Sequence, residues 1–201
     1  RKVEGRTNTV ARTFDRICDA LEALGYLDEN GTVVTERGER LRRLYTEKDL
    51  LAAECLRHDV WKRLDAPSLA AAVSALVHEP RHQEAEVSPR MPNDDVAAAL
   101  TAMERLWSQI EDLETEYDLP TTSMPDGGMA WMVHRWASGD RLDAVLRGQE
   151  MAAGDFVRRC KQLVDLLDQV AKASTDTVVR RTARSAIDGV LRGVVAADRL
   201  D

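Results

Sequence analysis

Residues 154–172 read Gly-Asp-Phe-Val-Arg-Arg-Cys-Lys-Gln-Leu-Val-Asp-Leu-Leu-Asp-Gln-Val-Ala-Lys, and two patterns run through them. Phe156, Cys160, Leu163, Leu167 and Val170 fall at alternating four- and three-residue steps, which on a helix stack into one narrow apolar seam. Opposite that seam, Arg158, Lys161, Gln162, Asp165, Gln169 and Lys172 recur at three- and four-residue steps. The stretch reads as a long amphipathic helix opened at Gly154-Asp155, with one face for a core and one polar face free for something else.

The same period continues on both sides. A last helix is expected from about Thr177 to Asp198, carrying Val179, Ala183, Ala186, Ile187, Val190, Leu191 and Val194. Upstream, Leu142, Val145 and Leu146 mark a short helix. Trp131, Val133 and Trp136 mark another, ended by Ser138-Gly139. Pro120 and Pro125 with Gly127-Gly128 form a long loop, and Pro80, Pro89 and Pro92 form a second. Between these loops a long helix starts at Asn93 or Asp94, with Leu100, Met103, Leu106, Trp107, Ile110, Leu113 and Tyr117 as its stripe. Asp65-Ala66-Pro67 opens a helix with Leu69, Val73, Leu76 and Val77 on its core face, because proline suits a first helical turn. Thr46 with Asp49 begins the helix before it, where a carboxylate favours the positive N-terminal end.

The front of the chain is different. Val10, Phe14, Ile17, Ala20, Leu21 and Leu24 keep a helical period until Gly25 supplies a left-handed stop. Tyr26 to Val34 then reads as two very short strands around Asn30-Gly31, and Thr35 caps a helix bearing Leu41 and Leu44. Helix, small hairpin and helix form the tail end of a winged-helix pattern. The expected fold is therefore all-α: a helical bundle over residues 46–201, preceded over residues 1–45 by a partial winged-helix segment with a minimal β-hairpin.

Composition limits what such a chain does. With 44% hydrophobic and 31% charged residues among 201, it has material for a core and is not a disordered segment. No apolar run approaches the ~20 residues of a membrane span, and Arg1 to Arg6 lead into no hydrophobic stretch of a cleavable signal. Arg1 in place of an initiator Met fits a fragment or processed chain. Cys18, Cys55 and Cys160 are odd in number and scattered, so they read as reduced cytosolic thiols on helices. The formal net charge of -7 argues against a stand-alone nucleic-acid binder. Fields that matter to a ligand are local, however, and Arg180, Arg181, Arg184 and Arg192 concentrate positive charge near the chain's end.

Catalytic chemistry is not expected. No phosphate-cradling G-x-x-x-x-G-K-[ST] loop, no D-E-x-H segment and no dinucleotide fingerprint occurs, so the chain alone should not hydrolyse ATP. His78 and His82 are four apart, but Pro80 lies between them and no third ligand is near, so no metal site is expected. Asp94-Asp95 and Glu111-Asp112 read as helix starts and solvated faces, and Ser74, Ser123 and Ser185 lie in no nucleophile turn. The polar line from Arg158 mixes guanidinium, amide, ammonium and carboxylate groups that can reach base edges or phosphates. An ordinary solvated helix face has the same spacing, and composition does not separate the two.

A resemblance does. The run Leu44-Tyr45-Thr46-Glu47-Lys48-Asp49-Leu50-Leu51-Ala52-Ala53-Glu54-Cys55-Leu56-Arg57 closely resembles actinobacterial HelY-type helicases. The likeness continues through Trp61, Leu64 and residues 69–81, and resumes at Arg135-Trp136-Ala137-Ser138-Gly139, residues 153–159 and residues 163–170. In order, these blocks resemble the DSHCT domain that closes DExH-box (superfamily II) RNA helicases of the exosome-associated and superkiller kind, over roughly residues 44–200. The two long loops match no part of that pattern, and the front segment resembles the end of the preceding winged-helix domain.

The resemblance implies a bundle packed against two RecA-like motor domains, where ATP and Mg would bind in the parent protein, with no cofactor in this chain. It implies that one bundle helix lines the RNA channel and touches bases. The family's Arg in its Gly-Asp-x-Val-Arg block matches Arg158, and its Glu after the Ser-x-Leu/Phe-Val block matches Glu79. The expected nucleic-acid-binding set is Arg158, Glu79, Lys161, Gln162, Asp165 and Gln169, with no catalytic residue. Expected partners are single-stranded RNA, the motor domains of the same polypeptide and RNA-degradation proteins, in the cytoplasm and without a membrane. The alternative is a protein-docking module without RNA contact, for which Trp61, Trp131 and Trp136 are candidate anchors although core packing suits them better. A stand-alone winged-helix DNA-binding regulator fits poorly, because its recognition helix would be acidic and its wing minimal.

Overall fold

The computed structural model describes residues 2–80 and 88–197, with side chains described from Asn8 onward. Its centre is α4 (Ala66–Ser74). The Asp65 side chain accepts from the Ser68 N–H at 3.0 Å and Pro67 sits in the first turn, as the sequence signals. Ser68 through Ser74 are all buried, so the helix is covered on every side and not on one face. Ala70, Ala71 and Ala72 add little bulk, which lets several neighbours approach closely. Around it pack α5 (Asp94–Glu116), α6 (Ala130–Ala137), α8 (Ala153–Ala173) and α9 (Thr177–Val190). Each Leu or Val buried there contributes roughly 1.5–3 kcal/mol of transfer free energy. The short helix α7 (Leu142–Leu146) packs on α6.

The apolar side of α8 is broader than a seam. Val164, Leu166, Ala171 and Ala173 are buried beside the five expected residues, because α4, α9 and the final turn α10 (Gly193–Ala196) all pack against it. The last helix does not run unbroken to Asp198, a residue that lies outside the described set. It stops at Val190 and restarts at Gly193, whose φ is +48°. Tertiary contacts cause the break: the Trp136 indole N–H donates to the Val190 carbonyl at 2.9 Å, and the Arg192 guanidinium lies 3.6 Å from the Trp136 ring centroid.

In the front segment, α1 (Lys2–Ala23) ends at Gly25 with φ +76°. Val10, Phe14 and Ile17 are exposed, while Ala20 is buried and Leu21 and Leu24 pack against the core. No strand forms among the described residues; the expected hairpin is one antiparallel bridge between Leu27 and Val34. Asp28 closes the turn by accepting from the Thr32 and Val33 N–H groups at 2.8 and 2.9 Å, which holds its carboxyl below the usual range. Thr35 then caps α2 (Glu36–Leu41), leaving the ladder no room to lengthen. This segment is fixed to α3 (Asp49–Arg57) by buried Glu54, which accepts from the Tyr26 hydroxyl at 2.6 Å and from Arg57 at 2.7 Å.

Of the two loops, the first includes residues 81–87, with Arg81 and His82, outside the described set. The second folds back on α5: buried Glu114 accepts from the Thr122 N–H and hydroxyl, and the Trp107 indole donates to the Thr122 carbonyl at 2.7 Å. Its far end carries a 3₁₀ turn (Gly127–Met129), and the Asp126 N–H donates to the Ala75 carbonyl at 3.0 Å. Among the described residues no helix is long and apolar enough to cross a membrane, and no group of three or more His, Cys, Asp or Glu is placed to hold a metal ion. The cysteines are free, with Cys55 and Cys160 buried, and burial pushes the Cys160 thiol up to about 12.

Candidate nucleic-acid interface

The polar face of α8 borders three depressions that share lining residues and so adjoin one another in a row along the helix, together a segmented groove. The first, about 120 Å³, lies among His78, Glu79, Glu150, Asp155, Arg158 and Arg159. The second, about 340 Å³, shares Glu79 and Arg159 with it and adds Tyr45, Gln162, Asp165 and Gln169. The third, about 780 Å³ and open, shares Tyr45, Asp165 and Gln169 and reaches Arg43, Lys172, Arg180 and Arg184. From Arg158 to Lys172 the groove follows about 21 Å of helix at 1.5 Å per residue.

Five of the six expected residues therefore meet in one place: Arg158, Glu79, Gln162, Asp165 and Gln169 all line this groove. Lys161 does not. It is half-buried on the flank of α8, outside the three depressions.

Arg158 is the more exposed of two adjacent guanidiniums. Its side chain is 63% exposed and makes an i,i+3 pair with Asp155 at 3.2 Å, an exposed contact worth little and easily exchanged for a ligand. Arg159 is only 17% exposed and serves a structural end. It donates to the Val77 carbonyl at 3.0 Å and to Gln162 Oε1 at 3.1 Å, and lies 3.7 Å from the Glu79 carboxylate. Arg159 thus fixes the chain after α4 onto α8, and so places Glu79 beside the Arg158 end. Sequence reasoning passed over Arg159; the signal was the doubled Arg158-Arg159, with only one side chain able to face outward.

Tyr45 and the arginines of α9 are the other additions. The Tyr45 N–H donates to Gln169 Oε1 at 2.6 Å, and Arg43 donates to the Lys172 carbonyl at 2.9 Å, so the linker between α2 and α3 runs beside the polar line. Of the arginines expected near the chain's end, Arg180 and Arg184 reach the groove. Arg192 instead turns inward, donating to the Trp136 and Asp140 carbonyls.

The charges are sorted along the groove. Around Glu79 the lining carries Glu47, Glu79, Glu150 and Asp155 against Arg158 and Arg159. At the other end Arg43, Lys172, Arg180 and Arg184 outnumber Asp165 and Asp168. Buried Lys48 has its pKa lowered by desolvation, opposed by the fields of Glu79 and Asp126. A phosphate chain is favoured at the Arg184 end, whereas Glu79 suits amino groups on base edges.

The tryptophans offered as docking anchors are mostly internal. Trp61 and Trp136 are buried, and Trp131 is half-buried beneath the Arg90 and Arg135 guanidiniums at 4.4 and 4.8 Å.

Comparison with known proteins places the chain in a family. The DSHCT (NUC185) domain model matches residues 31–197. The chain is 40% identical over 98% of its length to proteins named "Probable helicase HelY" from two strains of Mycobacterium tuberculosis, CDC 1551 / Oshkosh and H37Rv. It is 39% identical over the same share to the protein of that name from Mycobacterium leprae. The chain spans 23% of the length of these curated relatives. On these matches, the chain belongs to the DSHCT (NUC185) domain family and resembles the part of HelY-type helicases that carries it.

Proposed function

We propose that this chain is the C-terminal nucleic-acid-guiding module of an ATP-dependent DExH RNA helicase, with the polar face of α8 lining the path of single-stranded RNA. One observation supports the reading: Arg158, Glu79, Gln162, Asp165 and Gln169, from two separate parts of the chain, line adjoining depressions along one face of α8. A merely solvated helix face would not need Glu79 brought across to it. In this reading ATP and Mg belong to RecA-like motor domains of the parent protein, on which the bundle packs in the cytoplasm, and RNA-degradation proteins are its further partners. The chain alone is inactive as an ATPase. Residues 1–45 are the tail of a winged-helix domain and residues 46–201 the bundle proper.

The test is Arg158→Ala in the full-length protein. RNA-stimulated ATPase and unwinding should fall several-fold while basal ATPase and melting stay unchanged. Unchanged unwinding would remove the assigned role.

A docking module without RNA contact has one observation in its favour, the exposed row Val10, Phe14 and Ile17 on α1. That row lies on a different element from the groove. Replacing it with serine while retaining RNA binding separates the two surfaces.

A further inference from the structure

Tyr45 is 80% exposed, although the backbone on both sides of it is held. Leu44 and Lys48 are buried, the Tyr45 N–H is fixed by Gln169 at 2.6 Å, and Arg43 is tied to the Lys172 carbonyl at 2.9 Å. The ring therefore contributes little to the core, yet it stands at a defined place on the groove. Two of the depressions along α8 share it, so it sits where the acidic stretch gives way to the basic one.

The cations at that end differ in availability. Lys172 is paired with Asp168 at 2.6 Å, and Arg180 donates to the Ser174 carbonyl at 2.8 Å. Arg184 is exposed and has no ion-pair partner among the described residues. Tyr45 and Arg184 line the same open depression, and an exposed aromatic ring with a guanidinium in one depression is the pairing that single-stranded nucleic acid uses: a π-face for a base and a cation for a nearby phosphate.

We propose that Tyr45 and Arg184, with Arg43, form a nucleotide subsite in which one base of single-stranded RNA stacks on the Tyr45 ring and the adjacent phosphate is held by the arginines. This rests on the reading of α8 as an RNA face and extends it to residues off that helix. The subsite takes any base, because every base offers a π-face. It also accounts for how an acidic chain holds a polyanion: the phosphates are gripped where cations outnumber carboxylates, and Glu79 lies at the opposite end.

The experiment measures binding of a fluorescein-labelled uridine dodecamer to the full-length protein by anisotropy, with Tyr45→Ala, Tyr45→Phe, Tyr45→Trp, Arg184→Ala and Arg158→Ala compared. Tyr45→Ala should weaken binding about 5- to 20-fold, while the Phe and Trp variants stay near wild type. Arg184→Ala should weaken binding and lower the salt slope by about one. An oligomer of abasic sugars should show no difference between wild type and Tyr45→Ala. The subsite is overturned if Tyr45→Ala binds like wild type, or if Tyr45→Phe loses as much as Tyr45→Ala. Loss with Arg158→Ala but not with Tyr45→Ala would sink the subsite and leave the α8 reading standing. Absence of any binding would overturn both. Thermal melts should be unchanged in the Tyr45 variants, since the ring is in solvent.

Discussion

The backbone N–H of Tyr45 donates a 2.6 Å hydrogen bond to the side-chain carbonyl of Gln169, joining the linker after α2 to the C-terminal part of α8 across more than half the sequence. This contact holds Tyr45 at a place bordering two of the depressions along α8. It also covers part of the Gln169 side chain, which is half-exposed.

Removing that acceptor should loosen the linker without unfolding the helix. In Gln169→Ala the Tyr45 amide should exchange with solvent about fivefold faster or more, as expected for a hydrogen bond of about 1 kcal/mol. The amides of α8 should keep wild-type protection. Unchanged exchange at Tyr45 would mean that the linker is held by Arg43 alone.

Gly38 tests the packing of the front segment. A Cβ there would stand 2.3 Å from the Tyr26 carbonyl oxygen and 2.6 Å from Val34 Cγ1, and the backbone atom cannot move aside cheaply. Gly38→Ala should therefore destabilise by roughly 1–3 kcal/mol in chemical denaturation. Gly154, at the start of α8, would meet nothing within 4 Å. Gly154→Ala should be neutral or stabilising by up to ~1 kcal/mol, because alanine is the better helix former.

The Tyr26–Glu54–Arg57 cluster is expected to behave asymmetrically. Tyr26→Phe removes one hydrogen bond to a charged group and should cost about 1.5–3 kcal/mol. Glu54→Ala leaves Tyr26 and Arg57 without their shared acceptor, and a cost of about 3–5 kcal/mol is expected. Urea titrations of the two variants decide whether the order is as stated.

Asp176 should govern part of the acid response. Its carboxylate caps α9 by accepting from the Val178 and Val179 N–H groups at 2.8 and 3.2 Å, and it pairs with Lys62 at 3.2 Å. These contacts, the backbone bonds first, hold its pKa below the ordinary 3.8. A depressed carboxyl contributes stability that is complete above the unfolded value and is lost as pH falls through the folded one. Wild type should thus melt higher than Asp176→Asn near pH 6, with the gap closing as pH drops below about 4. A gap that is constant with pH would show that the charge is irrelevant and only the cap matters.

Much of the fold was legible in the sequence wherever local chemistry decides the outcome. Asp65, Asn93 and Thr35 cap the helices expected of them, and Gly25 takes the left-handed stop, because each acts on backbone groups within a few residues. The end of α9 was not legible, since Trp136, far away in sequence, takes the Val190 carbonyl. Periodicity gave α1 an apolar side correctly but did not tell that Val10, Phe14 and Ile17 would face solvent, because a pattern does not specify its partner. In the groove, the α8 residues followed from helical spacing. Arg159 and Tyr45 did not, because their roles depend on a half-buried guanidinium and a pinned backbone amide that only the packed chain creates.

If the polar face of α8 touches single-stranded RNA, site-mapped crosslinking will place the strand there. A 4-thiouridine-substituted oligomer would be irradiated with the full-length protein and the adducts located by peptide mass spectrometry. Adducts are expected on the peptides bearing Tyr45, Arg158 and Gln162 to Lys172, reduced in Arg158→Ala. Efficient crosslinking elsewhere in the protein, with none on these peptides, would contradict an RNA contact on α8.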